Sequence, residues 1–230
     1  MYGAPVTAQE PRGFLAGLAK EDRADLLGLG QQRRYRAGAA IFMEGDRSDF
    51  VVLLKEGRVK VFRTTTEGRE PFLAVRGPGD LVGELAAIDG DLEPRVATVV
   101  AMEPVVAQVI PAIEFIDFVA ARPRVSLALL RSLTGRLRAA DRRRVEFGGY
   151  DTSHRVANLL VEMAEEHGVV EGDGLRIDVN LSQDELAGMI GASRESVARA
   201  LSRLRSRGLV QTRRRGITVI DLAVLREYGI

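Results

Sequence analysis

The sequence predicts an α+β chain: an N-terminal antiparallel β-roll, then a long helix, then a C-terminal pair of short helices with a β-hairpin beside them. Three observations predict it. Short β-rich runs separated by glycines recur from Arg33 to about Ile110. Apolar residues at helical spacing run from Pro123 to about Phe147. From Leu181 to Gly208, two capped amphipathic stretches meet at the small-residue turn Gly191-Ala192.

Composition bounds the rest. A chain of 230 residues, 46% hydrophobic and 28% charged, has globular values and room for one or two domains. There is no cysteine, which excludes disulfides and any cysteine-held metal or iron–sulfur cluster. His154 and His167 are the only histidines and sit apart, so no metal site is expected. No nucleophile–base constellation stands out, which argues against an enzyme. No signal peptide or apolar run of membrane length appears, so the expectation is a cytoplasmic protein without a membrane partner.

Met1 to Arg12 is rich in Gly, Pro and Ala and reads as a loose end. Phe14 to Gly30 reads as one or two short helices with Phe14, Leu15, Leu18, Leu26, Leu27 and Leu29 as their apolar residues. Strands are expected at Ile41–Met43, Phe50–Leu54, Arg58–Arg63, Pro71–Val75 and Val96–Val100. The turns between them are expected at Gly38, Gly45, Gly57, Gly68, Gly77 and Gly79. That spacing argues for an antiparallel barrel or jelly roll; by composition alone any small β-module would do.

Gly79-Asp80-Leu81-Val82-Gly83-Glu84-Leu85-Ala86-Ala87-Ile88, followed by Pro94-Arg95-Val96-Ala97-Thr98-Val99, is more specific. It resembles the phosphate-binding cassette of cyclic-nucleotide-binding domains. A short helix starting near Glu84 would turn backbone N–H groups toward an anion. Arg95 would pair with the cyclic phosphate, and Glu84 would accept from the ribose 2′-hydroxyl. The other reading is a structural Glu84–Arg95 salt bridge in a ligand-free roll. The resemblance adds Val61, Leu73, Gly83, Leu85 and Val96 to the ligand set, with Arg136, Ala140 and Asp141 from the long helix.

Pro111 to Ala121 reads as a short helix. The long helix then starts at Pro123, a favoured first helical position. Leu130, Leu133, Leu137, Ala140 and Phe147 follow heptad spacing, broken by Arg144. A core-packed helix and a dimer seam both fit that pattern. Gly148-Gly149 reads as a hinge. Asp151 to His167 is an amphipathic helix with Val156, Leu159, Leu160 and Met163 on one face; Val169 to Gly174 reads as a loop, and Leu175 to Val179 as a strand.

In the last region, Ser182 with Glu185 three residues on makes a capping box, and Ser193 caps the second helix. With Arg194 at zero on a wheel of about 100° per residue, Glu195 and Arg199 fall at roughly 100° and 140°. Val197, Ala200, Leu201 and Leu204 fall between about 240° and 340°. Arg194, Glu195 and Arg199 therefore share the outward face. Arginine there can pair with guanine O6 and N7, and a carboxylate can accept from cytosine N4. An ordinary solvated helix would show a polar face too, but the charge run is one-sided. Arg194, Arg199, Arg203, Arg205, Arg207, Arg213, Arg214 and Arg215 are accompanied by one acid, Glu195, in a chain whose net charge is +1. Val210 to Ile220 reads as a hairpin wing beside a DNA-reading helix-turn-helix.

Ser193-Arg194-Glu195-Ser196-Val197-Ala198-Arg199 resembles the recognition helix of the cyclic-AMP receptor protein and fumarate-nitrate regulator family of transcription factors. The resemblance covers nearly the whole chain. It implies a homodimer on double-stranded DNA at TGTGA-like inverted repeats, an effector such as cyclic AMP or cyclic GMP, and RNA polymerase as a partner. It extends the DNA-facing set to Ser182, Ser193 and the wing residue Arg213. It implies domains at 1–122 (effector roll), 123–148 (dimerisation helix) and 149–230 (winged helix-turn-helix). Without cysteine, the iron–sulfur branch is excluded. Three departures bear on the effector: Val96 brings no hydroxyl to the phosphate, the loop between Glu84 and Arg95 is slightly long, and Ala140-Asp141 stands where a Thr–Ser pair reads adenine. Asp141 can only accept, which suits the N1 and N2 donors of guanine. Weak or altered cyclic-nucleotide binding is the first expectation, ligand independence the second and guanine selectivity the third.

Overall fold

The computed structural model describes residues 13–47, 49–64, 72–90, 93–213 and 216–229. The expected features at Met1–Arg12, Gly68, Pro71, Arg214 and Arg215 lie outside the described residues. The chain divides into two compact units between Arg136 and Leu137.

The first unit opens with α1 (Gly13–Ala16) and α2 (Lys20–Gly28). The roll follows: β1 (Gln31–Tyr35), β2 (Ala40–Phe42), β3 (Phe50–Glu56), β4 (Val59–Phe62), β5 (Phe72–Arg76), β6 (Leu81–Val82), the helix α3 (Glu84–Asp89), β7 (Thr98–Ala101) and β8 (Val105–Pro111). Two four-stranded sheets result, in the orders β1-β8-β3-β6 and β2-β7-β4-β5. Every pairing between these strands is antiparallel.

Strand β3 explains how the roll holds together. Its residues Val51, Val52, Leu53 and Leu54 are all fully buried. Successive side chains of a strand point to opposite faces. Val52 and Leu54 enter the cluster between the sheets, with Ile41, Val59, Val99 and Val105. Val51 and Leu53 enter a second cluster with Phe14, Leu26 and Ile110, against α4 (Ala112–Ala120) and the start of α5 (Pro123–Gly149). A strand covered on both faces reads as a continuous apolar run, as this one does. The long helix joins the same cluster through Val125, Ala128 and Leu129, with Leu133 packed against it.

The second unit is built around α6 (Thr152–His167), whose Val156, Ala157, Leu160 and Met163 are buried. Next come β9 (Gly168–Glu171), β10 (Gly174–Ile177), α7 (Gln183–Ile190), α8 (Arg194–Ser206), β11 (Val210–Arg213), β12 (Gly216–Val219) and α9 (Leu222–Tyr228). The four strands form one sheet in the order β11-β12-β10-β9.

Three sequence expectations need correction, and strand β1 was not among those expected. Helix α5 continues through Gly148 and Gly149, so the expected hinge is helical; the chain leaves the helix at Tyr150, and Asp151 caps α6 by accepting from the backbone N–H of Ser153 and His154. Neither glycine has a positive φ, so nothing in the backbone there uses glycine's freedom. The first half of the Val169–Gly174 stretch expected as a loop is strand: β9 pairs with β10 from Gly168↔Ile177 to Glu171↔Gly174; its exposed Val169 and Val170 give no burial pattern to read. Strand β1 is polar and exposed along most of its length, and is a strand because β8 pairs with it from Gln31↔Val109 to Tyr35↔Val105. The expected Val96–Val100 strand starts only at Thr98, leaving Val96 exposed ahead of it.

Candidate functional site

The cassette is assembled by β6, α3 and the segment entering β7. Gly83 precedes α3 with a left-handed φ of 82°, and a Cβ there would lie 2.2 Å from Arg95 Nη1. Only glycine lets the arginine approach so closely. Arg95 is 2% exposed. Its Nη1 donates to the carbonyl of Gly83 at 2.7 Å and its Nη2 to the carbonyl of Phe50 at 2.5 Å. The guanidinium carbon lies 4.1 Å from the centroid of the Phe42 ring and 4.9 Å from that of Phe50. Burial pushes Arg95 down to about 10, against the pull of the Glu84, Asp46 and Asp49 carboxylates.

Glu84 is equally buried. Its Oε1 accepts from Arg136 Nη1 at 2.5 Å, while Arg136 Nη2 donates to the Leu81 carbonyl at 2.9 Å. Both ionic side chains that the resemblance assigns to a ligand are thus engaged by the protein itself. So arranged, one N–H on each terminal nitrogen of Arg95 is taken by a carbonyl of the protein itself, and a cyclic phosphate would compete with those carbonyls for the guanidinium. Of the other residues that the resemblance assigns to the ligand, Leu73, Leu85 and Val96 are exposed, and Val61 is half-buried on β4 opposite Val99 and Ala74. Ala140 and Asp141 are exposed on α5 within the second unit.

The second candidate site is the face of α8. Ser182 closes a capping box at α7: its Oγ accepts from Glu185 N–H, and Glu185 Oε2 accepts from Ser182 N–H at 2.9 Å. Gly191 makes the turn in the left-handed region, φ 60°. Ser193 caps α8 by accepting from Ser196 N–H at 3.2 Å. Val197, Ala200, Leu201 and Leu204 are buried, whereas Arg194, Glu195 and Arg199 are exposed on the opposite side. Glu195 is held below the usual carboxylate range by its own backbone N–H first, then by the Ser193 hydroxyl. Arg199 Nη2 donates to Ser196 Oγ at 2.9 Å. Farther along, Arg203 donates to Ser153 Oγ, Arg205 to Thr212 Oγ1 on the wing, and Arg207 lies over the Tyr228 ring. Arg213 ends β11, exposed. The result is a positive outer surface with one acid, the chemistry of a DNA-facing helix.

The sequence reading missed several contacts. The contact of Arg95 with the Phe42 and Phe50 rings joins residues 45 or more apart in the chain and leaves no local pattern. Ser196 carries a signal that was available, a hydroxyl three residues after Ser193 and three before Arg199. Within the second unit, the end of α5 is fastened to the turn between α7 and α8. The Phe147 ring lies where a Gly191 Cβ would be, Arg155 stacks over that ring at 5.3 Å, and Arg155 Nη1 donates to the Ile190 carbonyl at 2.8 Å. The half-buried Glu146 accepts from Asn158 Nδ2, and burial holds its carboxyl above the usual range. Among the described residues, no group of three or more His, Cys, Asp or Glu side chains could hold a metal ion, and no helix is long and apolar enough to cross a membrane.

Comparison with known proteins matches each half separately. Residues 32–122 match the cyclic nucleotide-binding domain, and residues 154–228 match the Crp-like helix-turn-helix domain. The CRP-like cAMP-activated global transcriptional regulator of Mycobacterium tuberculosis is 32% identical over 209 residues, covering 91% of this chain and 92% of that one. The cyclic AMP receptor protein of Thermus thermophilus is 32% identical over 214 residues, covering 93% and 94%. FixK2 from Bradyrhizobium japonicum has the same fold at 20% identity, with a TM-score of 0.75 over 88% of this chain and 98% of that one. With a roll and a helix-turn-helix in the same order and a third of its residues shared end to end with such relatives, the chain belongs to the cyclic-AMP receptor protein / fumarate-nitrate regulator family of DNA-binding transcription factors, a family of regulators rather than enzymes.

Proposed function

We propose that the chain is a homodimeric regulator that reads TGTGA-like inverted repeats through α8, with a small effector in the roll setting the population of its DNA-competent state. One observation carries the reading: Arg194, Glu195 and Arg199 stand exposed on the side of α8 opposite its buried Val197, Ala200, Leu201 and Leu204. Ser182, Ser193 and Arg213 would add contacts to the DNA backbone. A palindromic site calls for two-fold symmetry. The exposed Leu127, Leu130 and Leu137 on α5 supply an apolar seam for a second copy. Residues 1–122 would then serve as the effector domain, 123–148 as the dimer helix and 149–230 as the DNA reader. The cytoplasm is the place of action, and RNA polymerase is the partner that converts binding into regulation.

The relatives named for cyclic AMP support a cyclic nucleotide as effector. Bound so, it would engage Glu84, Arg95 and Arg136, with Val61, Leu73, Gly83, Leu85, Val96, Ala140 and Asp141 around it. Because the DNA-competent state must bind the effector more tightly than the other state, any cost of freeing Arg95 is subtracted from that affinity. The inward Arg95 favours a second reading, in which the roll is ligand-independent and already DNA-competent.

Fluorescence anisotropy with a duplex carrying a TGTGA inverted repeat, against a scrambled duplex, tests both. Preference for the repeat only when cyclic AMP or cyclic GMP is added supports the effector reading. The same preference without nucleotide supports the second. No preference under any condition refutes the DNA reading itself.

A further inference from the structure

Arg199 and Glu195 are exposed side chains, and an exposed arginine ordinarily samples many rotamers. Fixing it on a base edge then costs rotamer freedom at the moment of binding. On α8 that freedom is already reduced. Arg199 Nη2 donates to Ser196 Oγ at 2.9 Å, and Ser196 Oγ lies 3.1 Å from Ser193 Oγ, within hydrogen-bonding reach. Ser193 Oγ is itself pinned as the helix cap by Ser196 N–H. The Glu195 carboxylate meets the same Ser193 hydroxyl. Two hydroxyls one turn apart therefore link the base-reading acid to the base-reading arginine, with the anchored end at the cap.

We propose that Ser196 is a positioning residue for base readout. It holds Arg199 in its reading rotamer and is itself held by the Ser193 cap. This rests on the DNA-reading assignment of α8. The role differs from a phosphate contact, which would strengthen binding to every sequence and add to the salt dependence. A positioning hydroxyl instead affects only the base step read by the side chain it holds.

The test compares wild type with Ser196→Ala, Ser196→Thr, Arg199→Ala and the double variant Ser196→Ala/Arg199→Ala. The probes are duplexes carrying the TGTGA inverted repeat and each single-step substitution of it, titrated at several salt concentrations. Ser196→Ala is expected to lower discrimination about three- to tenfold, as loss of one hydrogen bond would. That loss falls only at the step where Arg199→Ala acts, and the salt slope is unchanged. Ser196→Thr, which keeps the hydroxyl, restores discrimination, and the double variant is no worse than Arg199→Ala alone. Ser196→Ala weakening all duplexes alike with a shallower salt slope overturns positioning in favour of a phosphate contact. Additive effects of the two substitutions overturn it as well. If Arg199→Ala relaxes discrimination and Ser196→Ala does not, the positioning role falls alone. If Arg199→Ala itself leaves discrimination intact, the recognition-face reading falls and takes this proposal with it.

Discussion

Replacing Arg95 by alanine separates a ligand hook from a structural brace. A guanidinium that reaches outward for a phosphate would leave fold stability within about 0.5 kcal/mol when removed. The observed Arg95 is 2% exposed, donates to the Gly83 and Phe50 carbonyls, and lies against two aromatic rings. Hydrogen bonds from a charged donor contribute about 1.5–3 kcal/mol each, and desolvated cation–π contacts about 1–2. Against them stands the cost of keeping the charge buried. The drop to about 10 from the ordinary guanidinium value corresponds to roughly 3 kcal/mol. That cost is present while the group is charged in both states, through neutral pH, and is relieved only as pH rises from the folded value toward the unfolded one. On balance Arg95→Ala should cost about 2–4 kcal/mol, because it also strands two buried carbonyls. Differential scanning calorimetry without ligand should show the roll melting lower by on the order of 10 °C. Arg95→Met, which refills the volume, should recover part of the loss. An alanine variant that melts within a degree or so of wild type would refute the buried arrangement and return Arg95 to the role of a phosphate hook.

Three further outcomes follow from the sites. Arg194→Ala and Arg199→Ala should each weaken a cognate duplex by about 1–3 kcal/mol and relax base preference, whereas Arg213→Ala should weaken all duplexes alike and flatten the salt slope, both read by anisotropy. Leu130→Asp with Leu137→Asp should give monomers in sedimentation velocity, since both leucines are more than half exposed and would carry desolvated charge into a paired seam; Leu133, packed against the roll's own cluster, is the wrong choice for this test. Asp151→Ala should lower the stability of the second unit by about 1 kcal/mol by removing the cap of α6. Asp151 is held below its usual 3.8 chiefly by the backbone N–H of His154, so its contribution is full above that value and is lost as pH falls through the lower folded one. Urea titrations of wild type and variant should therefore converge in acid.

How much of this was legible depended on whether a feature is local. The capping box at Ser182 and Glu185, the cap at Ser193 and the faces of α8 follow from spacing within one helix, and the structure has them. The wing hairpin of β11 and β12 was legible for the same reason. Strand β1 was not: its polar run becomes a strand only through hydrogen bonds to β8, more than seventy residues on. The continuation of α5 through Gly148 and Gly149 overrode glycine's weak helix propensity, with Phe147 and Glu146 fastened to the second unit beside them. In the cassette, the residue types were readable but their partners were not. Glu84 meets Arg136 from the far helix, and Arg95 meets backbone carbonyls and two rings that only the folded roll brings together.

The Phe147 ring over Gly191 has a consequence for spectroscopy. Its Cε2 lies 2.4 Å from the point where a Gly191 Cβ would be, so the ring's induced field acts on the turn between α7 and α8. Glycine protons held against an aromatic ring resonate away from their usual frequencies, and the offset vanishes when the ring departs. With 24 glycines in the chain, one set apart in this way would stand out from the rest. Gly191 is thus a built-in nuclear magnetic resonance probe of whether the end of α5 is seated on the helix-turn-helix. It needs no label beyond isotopes and no substitution, and it can be followed while nucleotide or DNA is added.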